Sequence, residues 1–298
     1  MYDTIIIGAG PSGLTAAIYL LRSNKKVLIF ESESIGGQIA SSPLVENYPG
    51  FIKISGSEFA NNLYEQVINL DGEIELEKVV EIKPNTKEVV TEDNTYKAKT
   101  IIVATGAKYR LLGISKEEEF IGNGISFCTT CDGAFYKNKD VAVIGGGSSA
   151  VTNALYLSTL CNKVYLIHRN ENFRCEKTLL DKAKSTKNIE ILMNYNIEKY
   201  LGEECLTGII IKNITEEKEI KLDGLFLSVG HVPQNELANN LLNLSDNKYI
   251  LSNENCETNI EGIYVIGDVR DKKVRQLTTA VSDGTIAAIN IIKYLDQK

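Results

Sequence analysis

Two glycine-rich turns, each set between a short β-branched run and an apolar helical stretch, constrain this chain more than any other feature. Thr4-Ile5-Ile6-Ile7 runs into Gly8-Ala9-Gly10-Pro11-Ser12-Gly13, and Leu14 to Leu21 continue with helical periodicity. Val27-Leu28-Ile29-Phe30 supplies the next buried strand and ends at Glu31. The arrangement returns later. Val141-Ala142-Val143-Ile144 precedes Gly145-Gly146-Gly147-Ser148-Ser149-Ala150, a helical stretch runs from Val151 to Leu160, and Val164-Tyr165-Leu166-Ile167 follows as a strand. Each copy is a βαβ unit, and the separation between them is far too long for a solenoid.

The intervening stretches complete the outline. Val79 to Val90 and Tyr96 to Val103 read as strands, with Asp93-Asn94 as a turn. The acidic run Lys116-Glu117-Glu118-Glu119 reads as a solvated surface or linker. Segments 189–192, 208–211 and 224–227 read as strands of the domain that holds the second turn. In the tail, Gly262 to Ile266 forms a buried strand ending in Gly267-Asp268, and a helix over about 280–294 closes the chain. A closing strand and helix of this kind pack back on the first domain. The expected fold class is α/β, with two Rossmann-like three-layer (ββα) dinucleotide-binding domains, the second inserted in the first. The expected boundaries assign residues 1–112 and 244–298 to the first domain and 113–243 to the second.

Bulk properties narrow the function classes. At 298 residues, 43% hydrophobic and 24% charged, the chain has the make-up of a globular protein with room for two domains. A net charge of −7 argues against nucleic acid as a partner, because no basic cluster is dense enough to track phosphates. No apolar run reaches the roughly 18 residues that a membrane-spanning helix needs, and the opening residues lack the basic region and cleavage site of a leader. Six cysteines are too few for a disulfide scaffold, which points to the cytoplasm. Cys161, Cys175, Cys205 and Cys256 are widely spaced and read as small apolar or surface thiols.

The chemistry-bearing residues fall into three groups. In the first turn, Gly8 permits the tight bend, Gly10 lets the backbone approach a pyrophosphate, and Gly13 allows close helix–strand packing. The helix start at Pro11-Ser12 offers N–H groups and a positive dipole end to phosphates, and Glu31 is placed to accept ribose hydroxyls. This pattern does not by itself separate FAD from NAD. In the second turn, Gly145, Gly147 and Ala150 keep the phosphate bend, with Ser148 and Ser149 at the helix start. The strand after it ends in His168-Arg169-Asn170-Glu171-Asn172-Phe173-Arg174, where guanidinium groups suit a 2′-phosphate. The third group is Cys128-Thr129-Thr130-Cys131-Asp132, shortly ahead of the second turn. Two cysteines at this spacing close a small disulfide ring and read as a redox pair, and the adjoining acid can give or take a proton. His168 and His231 are isolated, so no metal site is expected.

These segments, with Gly36-Gly37-Gln38, Glu46 to Phe51, Ala104-Thr105-Gly106-Ala107, Gly267-Asp268-Val269 and Arg275 to Ala280, resemble the low-molecular-weight thioredoxin reductases over essentially the whole chain. The Cys-x-x-Cys-Asp-Gly segment ahead of a second fingerprint is the most specific of them. The resemblance implies non-covalent FAD at Gly8, Gly10, Pro11, Ser12, Gly13, Glu31, Gly37, Gln38, Asn47, Ala104, Gly106, Gly267, Asp268, Arg275, Gln276, Leu277 and Ala280. It implies NADPH at Gly145, Gly147, Ser148, Ser149, His168, Arg169 and Arg174. It also implies that Cys131 faces the flavin, that Cys128 attacks thioredoxin, and that Asp132 is the general acid–base. A homodimer is implied as well, and so is a rotation between domains hinged near Leu112-Gly113 and 240–244.

The family pattern for NADPH has an arginine where Asn170 stands, often Asp or Asn at Ser148, and a glutamate pair at Thr152-Asn153. The thinned decoration leaves NADH, or ferredoxin as in the ferredoxin-dependent flavin thioredoxin reductases, as other donors. A flavin-binding disulfide oxidase and a non-catalytic redox sensor are the competing functions.

Overall fold

The computed structural model describes residues 1–297. The chain divides into two compact units, one built from Met1–Lys108 together with the chain from Val232 on, the other from Tyr109–His231.

In the first unit a parallel sheet runs in the order Glu73–Glu75, Val27–Phe30, Tyr2–Ile7, Thr95–Val103 and Ile263–Val265. Strand Thr95–Val103 also pairs antiparallel with Glu88–Thr91, which pairs with Val79–Lys83. Side chains alternate across a strand, and this alternation builds the layers. Ile6 packs with Leu14, Ala17 and Leu20 of helix Pro11–Arg22 and with Ala287 and Ile291 of helix Leu277–Asp296. Ile5 and Ile7 face the other way and pack with Val79, Ile82 and Val89 of the antiparallel meander. Each fully buried Ile or Leu contributes roughly 1.5–3 kcal/mol.

The second unit repeats the plan. Its parallel sheet runs Ile189–Met193, Lys163–His168, Asp140–Ile144, Gly224–Leu227 and Ile125–Ser126. Helix Ser148–Ser158 covers one face, with Val151, Ala154 and Leu157 against Val141 and Val143. The antiparallel meander Asn196–Gly202, Leu206–Lys212 and Glu217–Lys221 covers the other, with Ile209 and Ile211 against Ala142 and Leu225. No helix among the described residues is long and apolar enough to cross a membrane.

The structure departs from the sequence-based outline in four places. The stretch 79–90 is two strands, turned at Pro84 to Lys87, where Pro84 has no N–H to give a ladder and Lys87 adopts φ 53°. The second boundary falls at 231/232 rather than 243/244, because Ala238 and Leu242 are buried in the core of the first unit beside Ile250 and Ile263. The acidic run is not all solvated. Glu117 is 3% exposed and accepts the Leu112 N–H at 3.0 Å, the Gly113 N–H at 2.7 Å and the Tyr200 hydroxyl at 2.8 Å. Burial and that carboxylate push the Tyr200 phenol well above its ordinary value. Leu112-Gly113 is therefore clasped within the second unit, and the chain instead crosses at 108/109.

Candidate active site

In the first unit the fingerprint residues close on one another. A methyl group at Gly13 would lie 2.0 Å from the Gly8 carbonyl oxygen, and one at Gly8, whose φ is 113°, would lie 2.4 Å from that of Ala104. Gly10 and Gly106 face open space, and Gly37 sits 3.4 Å, measured from an added methyl, from Gly10 Cα. The Gly36 N–H donates to the Ala9 carbonyl at 2.8 Å, which brings Gly37-Gln38 to the turn. Helix Pro11–Arg22 starts after Gly10 with no side-chain cap, so no capping side chain takes the N–H groups of its first turn. Glu31 Oε2 accepts the Ala9 N–H at 2.8 Å, while Oε1 accepts those of Ser32 and Glu33 at 2.9 Å.

The chain's tail returns to this cradle. A methyl at Gly267, φ 74°, would lie 2.5 Å from Ser12 Oγ, and Gly284 packs against the Ser12 carbonyl. Arg275 donates to the carbonyls of Asp268, Arg270 and Lys272 and lies 3.7 Å over the Tyr249 ring, so it shapes the loop. Gln276 caps helix Leu277–Asp296 in a reciprocal capping box with Thr279, ahead of buried Ala280. The Asn47 amide reaches Gln276 Oε1 at 3.5 Å.

Sequence reasoning missed Asp283. It is 5% exposed and accepts the Gly267 N–H at 3.0 Å, Arg270 Nη1 at 2.8 Å and Lys272 Nζ at 2.9 Å. The available signal was a charged residue at helical spacing with Ala280, Ala287 and Ile291, all on the buried face. A glycine-opened turn, free N–H groups at a helix start and a preset strand-end carboxylate fit the pyrophosphate and ribose of FAD.

The second turn is built on the same bend with different contents. A methyl at Gly145 would lie 2.5 Å from the Ser228 carbonyl oxygen, and Gly147 faces open space. Ser148 and Ser149 are exposed at the helix start. The Arg174 N–H donates to the Gly146 carbonyl at 2.6 Å, which holds Arg174 at the turn; its side chain and that of Arg169 are exposed. His168 is turned toward the interior of the second unit. It is 4% exposed, its ring lies where a Gly146 side chain would be, and it hydrogen-bonds the Asn172 carbonyl at 3.2 Å. Burial, with Arg174 and Arg169 nearby, holds its pKa below the usual histidine value despite the Asn172 bond, so the ring is neutral and turned inward.

The dithiol also lies in the second unit. Cys128 and Cys131 are joined as a disulfide with a Cα–Cα distance of 5.3 Å. Both are half-buried. The helix that carries them, Thr129–Asp132, is a single turn, so its dipole adds little. Burial pushes the Asp132 carboxyl above its ordinary value, and a hydrogen bond from Ser126 opposes that shift. The Tyr136 phenol is pushed up to about 12 by burial and by Asp132 and Asp223. Thr129 Oγ1 donates to Asn153 Oδ1 at 2.8 Å, and the Asn153 amide donates to Ser228 Oγ at 2.8 Å. Asn153, noted in the sequence as a departure, thus ties the dithiol turn to the strand end beside Gly145. By contrast, burial pushes the Cys161 and Cys256 thiols up to about 11 and about 12, which keeps them unreactive.

The chain matches the pyridine nucleotide-disulphide oxidoreductase family over residues 2–284. It is 38% identical to the thioredoxin reductase of Bacillus subtilis, across 100% of this chain and 96% of that protein. It is 42% identical to a 34.2 kDa protein in the rubredoxin operon of Clostridium pasteurianum, across 99% and 98% of the two chains. The crystal structure of thioredoxin reductase from Streptococcus pyogenes is similar with a TM-score of 0.96 at 39% identity, covering 100% of this chain and 99% of that one. This chain belongs to the pyridine nucleotide-disulphide oxidoreductase family.

Proposed function

We propose that this chain is a thioredoxin reductase, moving an electron pair from NADPH, through FAD and the Cys128–Cys131 disulfide, to oxidised thioredoxin. The observation that carries this reading is the half-buried Cys128–Cys131 disulfide followed by an acid whose carboxyl is biased toward its protonated form. The first unit would hold FAD through Gly8 to Gly13, Glu31, Gly37-Gln38 and Gly267-Asp268; the second would hold NADPH through Gly145, Gly147, Arg169 and Arg174. Bound FAD supplies the two-electron centre between nucleotide and disulfide. The rest is sulfur chemistry. Cys128 thiolate attacks one sulfur of the thioredoxin disulfide, and the other sulfur leaves with the bonding pair. Cys131 thiolate then attacks Cys128 Sγ, closing the internal disulfide and releasing the second thioredoxin sulfur as thiolate. Asp132 supplies or removes the proton at the enzyme's sulfurs.

The enzyme acts in the cytoplasm and as a homodimer in this reading, the latter open to sedimentation. Anaerobic mixing of the oxidised protein with NADPH, NADH or reduced ferredoxin, followed by flavin absorbance, tests the donor. Bleaching by NADPH is expected; bleaching by ferredoxin alone would replace NADPH in the scheme. Insulin reduction with added thioredoxin tests the substrate, and activity that survives Cys128→Ser would refute the dithiol route.

A further inference from the structure

Ser126 precedes the redox ring, and the cysteine spacing does not single it out, yet it touches both the first cysteine and the acid that follows the second. It ends the short strand Ile125–Ser126 and is 6% exposed. Its hydroxyl donates to Asp132 Oδ2 at 2.6 Å and accepts the Cys128 N–H at 3.1 Å. One hydroxyl therefore links the amide of the first cysteine to the acid that follows the second. A serine hydroxyl has one hydrogen to give. With that hydrogen directed at Oδ2 and the Cys128 N–H on the hydroxyl oxygen, Oδ1 is the carboxyl oxygen left to carry the proton of a protonated Asp132.

We propose that Ser126 is a positioning residue of the dithiol, holding Asp132 so that Oδ1 is the oxygen that exchanges a proton with the cysteine sulfurs. The proposal rests on the dithiol-reductase reading above. The step it serves balances as follows. An incoming thiolate bonds to one sulfur, and the Cys128–Cys131 bond breaks with its electron pair going to the other. The Oδ1 proton passes to that sulfur, leaving Asp132 ionised. The Ser126 hydrogen bond favours the ionised product, so Asp132 gives up its proton more readily with Ser126 than without it.

The groups around Asp132 leave this hydroxyl a decisive role. Tyr136 follows on the next turn, with Asp223 near it. From helix Ser148–Ser158, Asn153 reaches Thr129, and the Tyr156 ring lies against Gly133. Strand Ile125–Ser126 brings the Ser126 hydroxyl and no ionisable side chain.

The test uses the oxidised, flavin-loaded protein and dithiothreitol as the only reductant. Opening of Cys128–Cys131 is followed as protein thiols alkylated after acid quenching and removal of dithiothreitol, across the acidic to neutral range, with each rate divided by the dithiothreitol thiolate concentration. That normalised rate falls as Asp132 ionises. In Ser126→Ala the midpoint of the fall moves to higher pH by about one unit. Ser126→Thr returns it to the wild-type position. Asp132→Asn lacks the midpoint, and adding Ser126→Ala to it changes nothing further. Ser126→Thr and Ser126→Val share a shape and differ by a hydroxyl, so their comparison decides the matter even if Ser126→Ala loses its fold. A midpoint that stays in place, or a uniform loss at every pH, overturns the proposal. Thioredoxin and nucleotide are absent from this assay. A chain that fails to reduce thioredoxin would therefore sink the functional reading and leave this measurement intact.

Discussion

The two glycine-rich turns share a backbone and differ in what fills the position at the end of the following strand. In the first, Glu31 follows Val27–Phe30 and accepts the N–H of Ala9, the middle residue of the turn. In the second, His168 ends Lys163–His168 and lays a neutral ring over Gly146, the middle residue of that turn. The first turn thus presents an anion, held in place by backbone donors, to whatever lies beyond it. The second has drawn its strand-end side chain into the core, leaving exposed Arg169 and Arg174 as its positively charged groups. A repeated fold does not imply a repeated binding chemistry. The bend is alike in the two turns, and the strand end is where their chemistry differs.

The sharpest way to break the comparison is at the third small residue of each turn. Gly13→Ala puts a methyl 2.0 Å from a backbone oxygen, while the second turn already carries Ala150 at that place. The substitution should cost more than about 4 kcal/mol and yield protein without flavin, read from the ratio of flavin to protein absorbance and from thermal unfolding. Ala150→Gly should cost only about 1 kcal/mol. Next in size is Asp283→Asn, which breaks a buried cluster with Arg270 and Lys272 that has no counterpart described at the second turn. Removing one partner of a buried ion pair costs about 3–5 kcal/mol, and flavin release on heating should begin at a distinctly lower temperature.

A smaller effect is expected from Asn170→Arg, which restores a guanidinium beside Arg169. One charge-assisted contact contributes about 1.5–3 kcal/mol, so NADPH affinity should rise about tenfold or more while NADH affinity stays level, as read by nucleotide titration under anaerobic conditions. An unchanged NADPH affinity would place the 2′-phosphate elsewhere. The smallest effect concerns His168. Its folded pKa lies below the ordinary value of 6.5, so the unfolded chain takes the proton first. Stability from this residue is complete above 6.5 and erodes as the pH falls from there toward the folded value, by at most about 1.4 kcal/mol per pH unit. Urea denaturation of His168→Phe against pH should show a flatter slope over that window.

Much of this molecule is legible along the chain. The β-branched runs before Gly8 and Gly145, the glycines and the helical periodicity after them depend on near neighbours, and the structure places both βαβ units on those residues. The Cys128–Cys131 ring is equally local. What escaped notice are contacts between distant segments. Glu117 reads as one more surface acid because the meander that covers it and supplies Tyr200 comes from far along the chain. Ala238 and Leu242 carry no boundary signal, since the core they join also draws on strands far earlier in the sequence, at Ile5, Leu28 and Val89.

The sequence by itself determined the two bends, their strand and helix partners and the redox ring, because glycine conformational freedom, periodicity and a three-residue ring closure are properties of short stretches. Only the tertiary structure decided that Asp283 anchors the Gly267 turn and that His168 faces inward. Burial and hydrogen-bond partnership are set by what packs against a side chain, and that is contributed from elsewhere in the chain.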